Sequence, residues 1–237
     1  MTPEVTTFGD LLDRELRAAP ARPLVTAYDA GARTELSVTT YANWVAKTAS
    51  LLVDELDLQR GDRLLLDLAT HWLGPVLLGA AWRAGLQVVW EGETDAVVCG
   101  PHSLPAWADR ATDLVVVATA LDPLGRRFAD GVPTGVHDLG VEVWSQPDAF
   151  VPWDPPDDDD AALPGLTQAA LWRDAAAGTL VTEGGRLLTD RNPASGEGWR
   201  GFAEALARGG SVVLAGAGSD LEAVAASERV TDRWLAR

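Results

Sequence analysis

The 237-residue sequence predicts an α/β protein, mainly parallel sheet covered by helices. Three observations predict it. Apolar runs of strand length, at residues 63–68, 87–90, 96–99 and 114–118, alternate with stretches of helical periodicity. The connections are short and glycine-marked, and strand, helix and strand follow one another as in a parallel crossover. A hydrophobic share of 47% against 23% charged residues is that of a soluble globular chain long enough to bury a core.

The first helix opens at Thr7, a capping residue with Asp10 three positions on, and carries Phe8, Leu11, Leu12 and Leu16 on one face. Pro20 and Pro23 end it. Residues 24–28 and 34–38 flank a turn at Gly31 and read as a hairpin. Thr39 or Thr40 is placed to cap a second helix, whose stripe runs from Tyr41 through Trp44, Val45, Thr48, Leu51 and Leu52 to Leu56. Arg60-Gly61-Asp62 spells an adhesion tripeptide, but it lies between this helix and the strand at 63–68. It therefore reads as a turn, with Gly61 supplying the left-handed residue that ends the helix.

A buried helix follows, with Pro75 in its first turn and Gly85 at its end. Strands at 87–90 and 96–99, a short helix near 105–110, and strands at 114–118 and 141–144 continue the alternation. Residues 145–164 hold five prolines and four successive aspartates and read as an exposed connector. Beyond it, the pattern predicts a helix at 166–177 and strands at 179–182 and 186–189. A helix near 199–207, a strand at 211–215 and a helix from Ser219 complete it. The expected organisation is an α/β subdomain at 1–144, the connector at 145–164, and a smaller α/β portion at 165–237 packing on the first.

A formal net charge of -16 opposes nucleic acid and anionic membrane surfaces as partners. With no apolar run of membrane-spanning length and no signal-peptide pattern at the N-terminus, the expectation is a cytoplasmic protein. The lone Cys99 excludes an internal disulfide and reads as a small buried hydrophobe.

Chemical motifs are sparse. Gly216-Ala217-Gly218, between a strand and a helix, has the form of a phosphate-binding turn but lacks the third glycine of a dinucleotide fingerprint. Gly184-Gly185 reads as a hairpin turn between two strands. Asp157 to Asp160 lack the interleaved spacing of a calcium loop and read as solvated connector. His71, His102 and His137 show no paired metal spacing, and adjacent residues such as His102-Ser103 seldom face each other as base and nucleophile, so surface or cap roles are expected. Trp44, Trp82 and Trp172 fall in apolar helical patterns and read as core. No catalytic residue, metal ligand or cofactor is assigned from these motifs.

Several phrases together resemble the N-terminal part of the adenylate-forming enzymes: acyl-coenzyme A synthetases, luciferase and nonribosomal peptide adenylation domains. They are Thr40-Tyr41 opening a helix, Gly61-Asp62-Arg63 starting a strand, and Ala84-Gly85 before another strand. After the connector, the approach through Asp159 to Leu163 and the helix through Leu166 to Leu171 resemble the surroundings of the family's phosphate loop. Ala205-Leu206, Gly209 to Leu214 and Glu228 to Thr231 resemble later family phrases. The chain is also similar to small actinobacterial relatives of these enzymes.

The resemblance implies a phosphate loop, rich in Ser, Thr and Gly and ending in Pro-Lys-Gly, between Leu163 and Leu166. Only Pro164-Gly165 stands there. The only lysine, Lys47, sits in an early helix. The family's Tyr-Gly-x-Thr-Glu signature, ribose aspartate and C-terminal lid have no counterpart in the residues present, so no functional residue carries over. The expectation is a truncated, catalytically inactive relative that acts as a binding or interaction protein, as a homo-oligomer or with a protein partner. The alternatives are a small-molecule module for nucleotide, acyl group or coenzyme A, and an enzyme of unrelated chemistry gathering the histidines with carboxylates.

Overall fold

The structure is a computed structural model that describes residues 6–29 and 31–236. Helix α1 (Phe8–Ala18) begins as expected, with Thr7 Oγ1 accepting the Asp10 amide at 3.3 Å. Strands β1 (Pro23–Asp29) and β2 (Ala32–Ser37) pair antiparallel. Helix α2 (Val38–Ser50) follows without a linker, so the cap is Ser37, whose Oγ accepts the Thr40 amide at 3.1 Å. Thr39 and Thr40 are already inside the helix, which corrects the expected cap.

The helix continues into a π-turn (Leu51–Glu55), closed by the Leu56 amide donating to the Leu51 carbonyl at 3.0 Å. Asp57 then takes the left-handed conformation (φ 57°) that ends the helical run. Gly61, also left-handed at φ 91°, shapes the following turn instead. Arg60-Gly61-Asp62 is thus a turn, tied by the Gly61 amide donating to the Gly85 carbonyl at 2.9 Å, but it is not the helix terminator.

Next come β3 (Arg63–Asp67), α3 (Leu73–Ala84), β4 (Gln87–Val89), β5 (Ala96–Cys99), α4 (Leu104–Ala108) and β6 (Val115–Ala118). Gly85 closes α3 in the left-handed conformation its place in the sequence predicts. The strand expected at 141–144 is instead helical, α5 (Leu139–Glu142) followed by a 3₁₀ turn (Val143–Ser145). The strand lies earlier, as β7 (Val136–Asp138). Asp138 decides this: its Oδ1 accepts the Gly140 amide at 2.9 Å and caps a helix where the alternating valines suggested extension.

The last residues of the expected connector form a strand, β8 (Ala161–Leu163), paired with β9 (Leu166–Thr167) where the helix was expected to begin; α6 (Gln168–Ala177) follows. The remainder is β10 (Arg186–Thr189), α7 (Trp199–Ala207), β11 (Ser211–Ala215), α8 (Leu221–Ser227) and β12 (Asp232–Trp234). Residues 179–182 form no strand, because side chains take their amides. Leu180 donates to Glu204 at 2.8 Å and Thr182 to Asp232 at 3.2 Å. Gly184-Gly185 is therefore a turn into β10 and not a hairpin.

The larger strands build two five-stranded sheets. The first has the order β12-β10-β11-β1-β2, parallel except for the β1–β2 pair. The second, β4-β3-β5-β6-β7, is parallel throughout. Helices α1, α2, α3, α6 and α7 lie between the sheets and share one core with both. Strand alternation sorts the faces: Leu64, Leu66, Val98, Val212 and Leu214 point inward to these helices. Leu65, Val97, Cys99 and Val116 form a second core on the outer face with Leu104 of α4. Leu188, Val213 and Ala215 form a third with Val224 and Ala225 of α8. The first sheet draws β1 and β2 from before the connector and β10 to β12 from after it.

Candidate functional site

The position at which the resemblance implies a phosphate loop is the turn between β8 and β9. Leu163 pairs directly with Leu166, leaving Pro164-Gly165 as a two-residue turn with Gly165 at φ 74°. Both turn residues are exposed, and a Cβ built on Gly165 would meet nothing within 4 Å. Beneath the turn lies packed core. Trp82 donates to the Ala162 carbonyl at 3.2 Å. Gln168, wholly buried, donates to the Trp82 carbonyl at 3.0 Å. Its Oε1 accepts from the Phe8 amide at 3.2 Å and Trp172 Nε1 at 3.1 Å. Trp82 and Trp172 meet edge to face at 5.3 Å. Both are core residues, as expected, and Trp44 is a partly buried one.

Open parallel sheets bind ligands beyond the carboxyl ends of their strands, where the strand order reverses. In the second sheet that point lies between β3 and β5. It is filled by mutual hydrogen bonds: Trp107 Nε1 donates to Asp67 Oδ2 at 2.7 Å, and Ser103 Oγ to the Asp67 carbonyl at 3.0 Å. His71 is buried there, with Nδ1 accepting the Leu73 amide at 3.3 Å at the start of α3. Burial lowers its pKa to about 4, so it is a neutral cap at ordinary pH. His102 is exposed, and His137 on β7 pairs with Glu142 at 3.1 Å. The three histidines share no partner. Among the described residues no group of His, Cys, Asp and Glu is placed to hold a metal ion. Burial pushes the Cys99 thiol up to about 12, which leaves it a packing residue and not a nucleophile.

The connector is fastened to the body at both ends. Lys47 donates to the Gln146 carbonyl and lies 3.2 Å from Asp148. Arg60, from the adhesion-like tripeptide, holds Asp154 at 3.1 Å and Asp160 at 2.7 Å. Trp153, just before Asp154, is 92% exposed.

One constellation has no sequence signal. Glu228 is buried and receives Arg33 Nε at 2.7 Å, Tyr28 Oη at 2.6 Å and the Arg186 guanidinium. Arg186 also reaches Thr26 Oγ1 at 2.9 Å and Ser211 Oγ at 3.1 Å. Arg33 and Tyr28 hold the Glu228 carboxyl at about 2, against the cost of burial. The partners of Glu228 lie 195, 200 and 42 positions away, so periodicity and local motifs could not reveal them.

At Gly216-Ala217-Gly218 the helix amides a phosphate would use are occupied. Asp220 Oδ1 accepts those of Glu222 and Ala223 at 3.1 and 3.0 Å.

No protein-family model matches the chain. A TIGR03089 family protein from Mycobacterium tuberculosis is 37% identical over 185 residues, 75% of this chain and 74% of that protein. Among solved structures, Brucella canis acyl-CoA synthetase superposes with a TM-score of 0.80 at 15% identity, over 98% of this chain and 47% of that one. The long-chain-fatty-acid-CoA ligase FadD1 from Archaeoglobus fulgidus gives 0.74 at 12% identity, over 97% and 51%. The N-terminal domain of FACL13 from M. tuberculosis gives 0.72 at 15%, over 95% and 62%. The chain thus spans about half the length of the two full ligases. It belongs to the TIGR03089 family, built on the N-terminal fold of the adenylate-forming acyl-CoA ligases.

Proposed function

We propose that this protein does not form adenylates and acts instead as a binding or interaction protein on a retained ligase scaffold. The observation that supports this reading is the β8–β9 turn. Two residues, one of them proline without an amide hydrogen, stand where the family's glycine-rich loop would lie. Phosphoryl and adenylyl chemistry depends on preorganised donors around developing charge, commonly the largest catalytic term. Such a turn offers no cradle of amides, and Lys47 is already engaged with Gln146 and Asp148. A lid supplied by another chain would not restore an internal loop. The dispersed histidines, His71 and His137 engaged separately and His102 exposed, also favour this reading over unrelated acid–base chemistry. The test is ATP–pyrophosphate exchange over a panel of aliphatic and aromatic carboxylic acids at millimolar concentration. Exchange at background is expected; turnover with any acid that survives repurification would overturn the reading.

A further inference from the structure

The strand order of the first sheet reverses between β1 and β11. The chain leaves β1 toward β2 on one side, and leaves β11 toward β12 on the other. A groove of about 500 Å³ opens at this point, beyond the carboxyl ends of both strands. Its size is that of a small-molecule site, and its place is the one where open sheets bind ligands. It is lined by Tyr28, Gly218, Ser219, Asp220, Ala223 and Ser227, with Val224 behind them. The Gly216 amide donates to the Tyr28 carbonyl at 2.7 Å, which fixes the two strand ends that form its floor.

The chemistry of the lining is one-sided. Asp220 is its only charged residue among the described residues. Asp220 Oδ1 is committed to the α8 amides, while among the described residues no donor reaches Oδ2. A second carboxylate stands at the same strand ends: a Cβ on Gly216 would lie 3.1 Å from Asp29 Oδ1. The neighbouring guanidinium groups of Arg33 and Arg186 are bound to Glu228. An anion would meet the Asp220 carboxylate with no cation among the described lining residues to receive it. A cation would meet a counter-ion, two serine hydroxyls and an aromatic wall.

We propose that this groove binds a small organic cation, an ammonium group on an apolar or aromatic body, with Asp220 as counter-ion and Tyr28 in the wall. The proposal is independent of whether the chain forms adenylates, since it concerns the first sheet and not the β8–β9 turn.

The test is amide NMR of the full chain titrated with benzylamine, alongside benzyl alcohol and benzoate as near-isosteric neutral and anionic controls. Saturable shifts at residues 217–220, 223 and 227 are expected with benzylamine, weaker ones with the alcohol and none with benzoate. Asp220→Asn keeps the helix cap, because asparagine caps as well as aspartate, but removes the charge. It should weaken benzylamine about fivefold, the scale of a solvent-edge ion pair, and leave the alcohol unchanged. Ala223→Phe fills the groove and should abolish binding of both while thermal melting shows the fold intact. Equal binding of benzoate, shifts elsewhere on the protein, or a benzylamine affinity indifferent to both substitutions would overturn the proposal.

Discussion

Glu228 joins three distant pieces of chain through Tyr28, Arg33 and Arg186. Its carboxyl sits at about 2 in the fold against an ordinary 4.5. A depressed carboxylate stabilises the fold above its unfolded pKa, and the contribution is lost as pH falls through the folded one. Stability should therefore decline by about 2–3 kcal/mol on this account between pH 4.5 and pH 2. Glu228→Gln should lose a similar amount at pH 7 and flatten that part of the acid limb, as read by urea unfolding at a series of pH values. The same limb in wild type and variant would remove the network from the account. His71 was legible only as an isolated histidine. That it caps α3 through Nδ1 depends on the turn after β3, which residue type alone does not specify.

Among the elements, α3 is buried at every residue but Arg83. A Cβ on Gly79 would stand 2.1 Å from Tyr41 Oη, 2.8 Å from Phe8 and 2.9 Å from Val45. Tyr41 Oη donates to the Pro75 carbonyl at 2.9 Å, so it cannot yield without losing a buried hydrogen bond. Gly79→Ala should cost about 2–3 kcal/mol despite its better helix propensity, measured as a lowered urea midpoint. The connector offers a second prediction. Arg60 clasps Asp154 and Asp160, so Arg60→Ala should speed chymotryptic cleavage after Trp153 several-fold while the thermal melt of the body barely moves. An unchanged cleavage rate would show that proline stiffness alone holds the segment. Most elements were legible from periodicity, β5, α7 and β11 to the residue. Strands β7, β8, β9 and β12 were not foreseen, and two further exceptions are places where a side chain intercepts the backbone: Asp138 turns 141–144 helical, and Glu204 and Asp232 take the amides of 179–182.

For the whole molecule, two sheets enclose a shared layer of helices, and the remaining apolar surface is small. Among the described residues the exposed large apolar side chains are Leu124, Val141, Trp144, Val151 and Trp153. We propose that these mediate self-association or partner binding, held in check by a net charge of -16. Light scattering should show a dimer whose population grows as salt screens the repulsion. A strict monomer at high protein and salt concentration would speak against it, and Trp144→Ser with Trp153→Ser should shift the equilibrium toward monomer.

The sequence by itself determined the α/β class, the order of most elements and the turn role of Arg60-Gly61-Asp62. These are local properties, written in periodicity and in backbone preferences over a few positions. Only the tertiary structure decided that β1 lies beside β11, that Arg60 fastens the connector, and that Glu228 is matched by Arg33 and Arg186. Those outcomes rest on pairings between residues far apart in the chain, which the burial of a shared core selects and which no local pattern records.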